Sequence, residues 1–417
     1  MKKIQLENNL PIFQLESLEK SSRNIHFEFW FRIGSRNDNP KYYGSAHLIE
    51  HSMLRLIVKN DLTLKEYLLQ NTFEYAFLTS IDFILLRFTC PEENILNILK
   101  NIKLAFDNIQ IAPKNFLQEK ELIANEIEIK LGTQKKKFFD SLRENLWSPN
   151  IGHPILGDMI DISNVTVEQV KYAIQDIWSN EQLFILYTGN LSSEKVQNIF
   201  KFSNINDQEF TFSNSLLIDS KRSKLRTEKK QLVLPDSKIV NTSLVYELDS
   251  NLVSKNVLLL SLLSRLIAFG DMGFLSQELR NSAIPIYYVM TLPLSFKYED
   301  MLIINFVTKQ EHTFDIVQKI QKSIKDIDNQ LNSIEPYFEI AKQGLLNDIN
   351  KSQKSDFGAM NYIGQSLLYN HHLDRMNETN EKINNISFLN LKNFAKKVLL
   401  DVEPAYFTAN REEISYD

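Results

Sequence analysis

A single cysteine, Cys90, in 417 residues leaves the chain without an intramolecular disulfide, which fits a reducing compartment. Long apolar runs are missing too. The longest, over residues 257–269, is broken by Arg265 and is too short to span a bilayer. Residues 4–18 are interrupted by Glu7, Asn8, Asn9 and Glu16, so no signal-peptide core is expected. Nor is there an excess of positive charge. The 47 Lys and Arg against 52 Asp and Glu give a net charge of -5, which argues against nucleic acid or an anionic membrane as the partner. Together these absences lead to the expectation of a cytoplasmic protein with no nucleic-acid or membrane partner.

What is present suits a packed interior. Apolar residues make up 43% and charged residues 24%, and the length suggests two to three domains. Residues 4–14 alternate around Asn8-Asn9-Leu10-Pro11, and residues 25–33 form a β-prone run. Ser45 is a suitable N-cap for a helix. A helix over 64–70, two paired strands within 73–89 and a helix begun at Pro91 follow. Helices over 115–131, 138–147 and 165–178 come next, and a strand from 183 ends in a turn at Gly189-Asn190. This is an α+β order.

Residues 204–231 are polar and carry charge runs, which read as a solvated linker. After them the order returns: strands at 232–234 and 242–248, a helix over 256–269, and strands at 287–294 and 301–308. Helices over 314–331 and 334–350 and a strand at 404–408 complete it. The expectation is a duplicated fold, with a first domain over 1–205, a linker over 206–231 and a second domain over 232–417.

The chemistry gathers at Ala46-His47-Leu48-Ile49-Glu50-His51. On a helix, His47 and His51 stand one turn apart on one face with Glu50 beside them. Two neutral imidazoles so placed hold a zinc ion, and the carboxylate takes a proton from a water at an open coordination position. The Glu precedes the second His, which is the inverzincin order. On the helix over 115–131, Glu119, Ile123 and Glu126 fall near one face, flanked by Leu122 and Ile129. Carboxylates there are costly to bury unpaired, and a metal or its surroundings would supply the partner. His26 alternates within a strand and reads as a partly buried structural side chain, His153 sits in a loop, and His312, His371 and His372 lack ligand spacing.

These motifs resemble the family of pitrilysin, insulin-degrading enzyme and mitochondrial processing peptidase, in its short two-domain bacterial form. The resemblance runs from about residue 25 to 408. It rests on Phe31-Arg32-Ile33-Gly34-Ser35-Arg36, Gly44-Ser45-Ala46-His47-Leu48-Ile49-Glu50-His51, Gly152-His153-Pro154-Ile155-Leu156-Gly157 and Tyr187-Thr188-Gly189-Asn190-Leu191 in the first half. In the second half it rests on Gly273-Phe274-Leu275-Ser276-Gln277-Glu278-Leu279-Arg280 with Tyr287.

What the resemblance implies is a zinc endopeptidase acting on extended peptides. His47, His51 and Glu126 would be the zinc ligands, Glu50 the base and Glu119 an acid that orients a ligand or tunes its charge, with Arg280 and Tyr287 contacting substrate. It also implies two duplicated domains, each a mostly antiparallel sheet packed with helices, forming half of a clamshell. The chamber is closed by a homodimer or by a heterodimer with a related subunit, and peptide adds to the sheet edge around residues 74–79. A maturation peptidase for a small precursor peptide is the narrow form of this reading, and a catalytically inactive scaffold or partner subunit is its alternative. Two positions depart from the pattern. Tyr75 precedes Ala76 where the family usually has Asn, and Asn281-Ser282-Ala283-Ile284-Pro285 stands where it tends to be charged and Gly-rich.

Overall fold

The computed structural model describes residues 2–5, 10–18, 23–131, 134–147, 149–179, 181–200, 215–219, 222, 223, 225, 230, 231, 239–282, 284–369 and 376–410. The expected turn at Asn8-Asn9, the strand over 232–234, most of the 206–231 linker, Ala283, and His371 with His372 lie outside them. The chain divides into two compact units. One comprises 1–132, 149–221 and 353–368, and the other 133–148, 222–352 and 369–417. Each unit therefore takes in a segment from the other half of the sequence. Among the described residues no helix is long and apolar enough to cross a membrane.

The first unit contains β1 (Lys2–Gln5), β2 (Pro11–Leu15), β3 (Asn24–Phe31), β4 (Ile57–Lys59), β5 (Leu62–Thr63), β6 (Glu74–Thr79), β7 (Ile84–Pro91) and β8 (Leu183–Thr188). Six of these strands form a sheet in the order β1-β2-β8-β3-β7-β6, while β4 and β5 pair apart from it. Every pairing in the large sheet is antiparallel except β2 with β8. Period-two alternation in β3 gives the sheet its two characters. Phe27, Phe29 and Phe31 enter a buried apolar cluster, so His26, Glu28 and Trp30 fall on the opposite face.

Among the helices that cover the phenylalanine face are α1 (Ser45–Met53), α2 (Leu64–Asn71), α3 (Ile95–Asp107) and α4 (Pro113–Leu131). Leu48, Leu68, Ile98 and Ile123 are their fully buried contributions to that cluster. α4 differs from expectation in one respect. Leu122 and Ile129 are 43% and 74% exposed, because Phe116, Ile123 and Ile127 supply the stripe that packs on the core.

The helix Asp356–Leu368, far along the sequence, packs with β3 and β8 in this unit. Gly364 lets it lie close to Trp30, since a Cβ there would stand 2.2 Å from the indole ring. Asp356 ties its start down, accepting from Ser17 Oγ at 2.7 Å and from the Leu18 amide at 2.8 Å.

The second unit contains β9 (Lys230–Gln231), β10 (Ile239–Leu248), β11 (Ile286–Ser295), β12 (Asp300–Lys309) and β13 (Ala405–Asn410), in the order β11-β12-β10-β13-β9. Only β13 with β9 is parallel. Set beside β6-β7-β3-β8-β2, this order matches strand for strand, with the parallel pair in the same place. The duplication is one of topology, and the fold is α+β in both units. The expected helix over 314–331 is broken, with Thr313–Lys325 and Ile327–Ser333 meeting at Asp326. The following helix, Phe338–Ser352, is entered through a single 3-10 turn that holds Pro336.

Candidate metal centre

α1 carries the histidine pair, and its entry is built differently from the expectation. Gly44 occupies the N-cap position with φ 92°, and Ser45 is already helical. That backbone region is open to glycine. A Cβ at Gly44 would also meet the Leu156 carbonyl oxygen at 2.5 Å. The capping acceptor is Asp38 instead, which takes hydrogen bonds from the Gly44 amide at 2.8 Å and the Ala46 amide at 2.7 Å. His153 reaches the same carboxylate with Nε2 at 3.1 Å and stacks on Tyr43. Burial pushes the Asp38 carboxyl up, against the pull of His153 and the two amides. An acid at this end also complements the helix dipole.

His47 and His51 lie on one face of α1 with ring centroids 4.6 Å apart. Both turn Nε2 toward Glu126 on α4: His47 Nε2 is 3.3 Å from Oε2, and His51 Nε2 is 3.8 Å from Oε1. One ligand atom from each of these three residues falls within 4.8 Å of the other two. Tetrahedral zinc with bonds near 2.1 Å keeps neighbouring donor atoms roughly 3.4 Å apart, so the set is close to the required spacing.

Proton placement supports the same use. His51 Nδ1 is 2.7 Å from Glu119 Oε2. An ionised carboxylate only accepts, so Nδ1 is the donor here, and Nε2 is the nitrogen that a neutral imidazole would offer to a metal. Burial alone would raise Glu119, but the hydrogen bonds from His51 and Arg55 and the Arg55 charge hold it below its ordinary value. At His47 burial opposes the imidazolium, yet the Glu126 and Glu50 carboxylates outweigh it and raise the pKa to about 9. The negative charge that attracts this proton attracts a dication as well, and the two compete.

Glu50 is 6% exposed, with Oε2 3.2 Å from His47 Nδ1. The Thr79 hydroxyl at the end of β6 donates to the same oxygen at 3.0 Å. Thr79 and Arg55 are absent from the residues singled out in the sequence. Arg55 had a signal, since it follows His51 by one helical turn on the same stripe. Thr79 had none, because its contact depends on how β6 crosses α1.

Arg280 and Tyr287 belong to the second unit. Arg280 closes the helix Phe274–Arg280 and ion-pairs with Asp271, both being exposed. Tyr287 is 57% exposed on β11, the last strand of its sheet. It is skipped in the β11–β12 register between Ile286 and Tyr288. A bulge of this kind redirects a side chain.

Comparison with known proteins agrees with this architecture. A family model described as Insulinase (Peptidase family M16) matches residues 17–159, and one described as Peptidase M16 inactive domain matches residues 164–345. Among solved structures, a protease from Helicobacter pylori is similar over 98% of this chain and 99% of its own, with 16% identity and a TM-score of 0.75. A peptidase M16 inactive domain from Pseudomonas fluorescens is similar over 99% and 98%, with 14% identity and a TM-score of 0.75. The periplasmic protease PqqL from Escherichia coli is similar over 99% of this chain but 46% of its own, with 13% identity and a TM-score of 0.75. No curated protein matches the sequence.

Proposed function

The chain belongs to peptidase family M16, and on that premise we propose that it is a zinc-dependent endopeptidase acting on extended peptides. The observation that carries the proposal is the convergence of His47, His51 and Glu126 beside the nearly buried carboxylate of Glu50. Those three side chains would hold the ion, with Glu119 fixing the tautomer of His51. Zinc, when bound, polarises the peptide carbonyl and lowers the pKa of a water toward about 7.

Glu50 takes the proton from the attacking water and hands it to the leaving amine. On the family pattern, Arg280 would hold substrate and Tyr287 would donate to the developing oxyanion. The substrate strand adds to the free edge of β6, where main-chain hydrogen bonds give affinity with little demand on sequence. Pairing is part of the proposal. The longer Escherichia coli protease chain has room for two such folds, and a short chain would reach the same number as a homodimer or with a related subunit.

Two matches bear on the inactive-scaffold alternative, the family model and the Pseudomonas fluorescens structure that are both described as inactive domain. The family model covers residues 164–345 and leaves His47, Glu50, His51 and Glu126 outside it, and the structure, at 14% identity, speaks to the fold alone. The deciding experiment loads the chain with zinc, measures cleavage of an unstructured peptide, and repeats it with Glu50→Gln. The expected result is retained zinc with kcat lowered about 10²–10⁴-fold. Cleavage that survives Glu50→Gln sinks the mechanism, and failure to bind zinc near neutral pH favours the scaffold.

A further inference from the structure

Thr79 stands where two parts of the proposed reaction meet. β6 is the last strand of its sheet, and the Ser80 amide donates to the Phe83 carbonyl at 2.8 Å to close the β6–β7 turn. Main-chain groups alternate along an antiparallel pair. Counting back from Ser80, Leu78 and Ala76 face β7, while Thr79 and Phe77 present their N–H and C=O to the side away from β7, the outer edge of the sheet among the described residues. The side chains of Phe77 and Tyr75 pack on the apolar core. Thr79, on that same side of the strand, reaches Glu50 Oε2 at 3.0 Å.

The place of Thr79 is well fixed. The Ser35 amide donates to the Ser80 carbonyl at 3.0 Å and the Arg36 amide to the Ile81 carbonyl at 2.9 Å. The fully buried Arg36–Asp82 ion pair holds the turn from its other side. Gly34 permits this approach, since a Cβ there would lie 2.4 Å from the Ile81 carbonyl oxygen. Glu50, by contrast, ends in a soft torsion that is roughly two-fold. A donor on Oε2 selects one setting of that torsion and leaves Oε1 to take the proton.

Building on the peptidase reading above, we propose that Thr79 is a positioning residue that orients the Glu50 carboxylate from the strand edge on which the peptide docks. The strand whose outer edge would receive the peptide therefore also carries the hydroxyl that sets Glu50, and the turn contacts hold that strand in place before any peptide binds.

The test compares Thr79→Val, which keeps shape and β-branching but loses the donor, with Thr79→Ser, which keeps the donor. The expected result for Thr79→Val is a kcat lower by about ten- to a hundredfold, with KM changed less than about twofold. Zinc stoichiometry and unfolding midpoint should match those of the wild type. In a Glu50→Gln background, the affinity for an uncleaved extended peptide, read by fluorescence anisotropy, should be the same with and without Thr79→Val. Thr79→Ser should restore most of kcat. The proposal is overturned by an unchanged kcat in Thr79→Val, by equal losses in Val and Ser, or by a loss confined to KM or peptide affinity. A wild-type chain that binds zinc and cleaves nothing overturns the underlying reading instead, and this proposal with it.

Discussion

Glu28 allows a prediction whose magnitude follows from its surroundings. It sits on β3 with no exposed surface, opposite Arg87 on β7. Burial is the main influence on its carboxyl and outweighs the Trp30 indole, which donates at 2.7 Å, and the Arg87 charge. The pKa rises from 4.5 to about 7. Below pH 4.5 the group is protonated whether the chain is folded or not, and it costs nothing. Above that value the unfolded chain gives up the proton first, so stability falls until the folded carboxyl also ionises near pH 7. A rise from 4.5 to about 7 corresponds to about 3 kcal/mol at roughly 1.4 kcal/mol per unit.

Glu28→Gln removes the titration while keeping an oxygen for Trp30. Its amide replaces the carboxyl O–H as a buried donor, so that cost is common to both forms. In urea unfolding followed by tryptophan emission, the variant should be more stable than wild type by about 3 kcal/mol at pH 8 and by less than about 1 kcal/mol at pH 5. An advantage of the same size at both pH values would refute the reasoning, as would a loss at pH 8.

The parts of the site that the sequence discloses are those that obey a local period. His47, Glu50 and His51 share one helical turn, so their chemistry is visible once a helix is assumed. Glu119 and Glu126 are two turns apart on a second helix, and resemblance to the family linked them to the first. Arg55 continues the His51 stripe by one more turn and was legible by the same rule. Thr79 was not legible, because its meeting with Glu50 depends on the pairing of β6 with β7 and the crossing of α1 over that edge. The capping of α1 failed for a related reason. Ser45 has the right chemistry for an N-cap, but Asp38 and the left-handed Gly44 fill that role through a chain reversal that no periodicity encodes. The succession of strands and helices along the second half was readable from alternation, but the order β11-β12-β10-β13-β9 in which the strands pair was not. That the helix Asp356–Leu368 would pack with β3 and β8 of the first unit was not, since its amphipathic pattern names no partner.

Two further variants separate the metal centre from the scaffold beneath it. Glu119→Gln replaces an acceptor of two strong donors, His51 and Arg55, and should weaken zinc affinity about 10–100-fold, read by competition with a chromophoric chelator. Unchanged affinity would mean that His51 needs no orienting partner. Gly364→Ala probes the opposite face of the sheet. The added methyl would stand 2.2 Å from one indole carbon of Trp30 and 2.4 Å from another, and neither side can yield cheaply. Trp30 is fully buried, stacked on Phe184 at 5.6 Å and tied to Glu28, while Asp356 anchors the start of the helix through Ser17 and Leu18. The helix must therefore shift outward, at a cost of about 1–3 kcal/mol, and expose Trp30 as it does so. A red-shifted, more quenchable tryptophan emission at unchanged zinc content is expected, and a variant with wild-type emission and unfolding midpoint would show that the contact at Gly364 does not hold this helix in place.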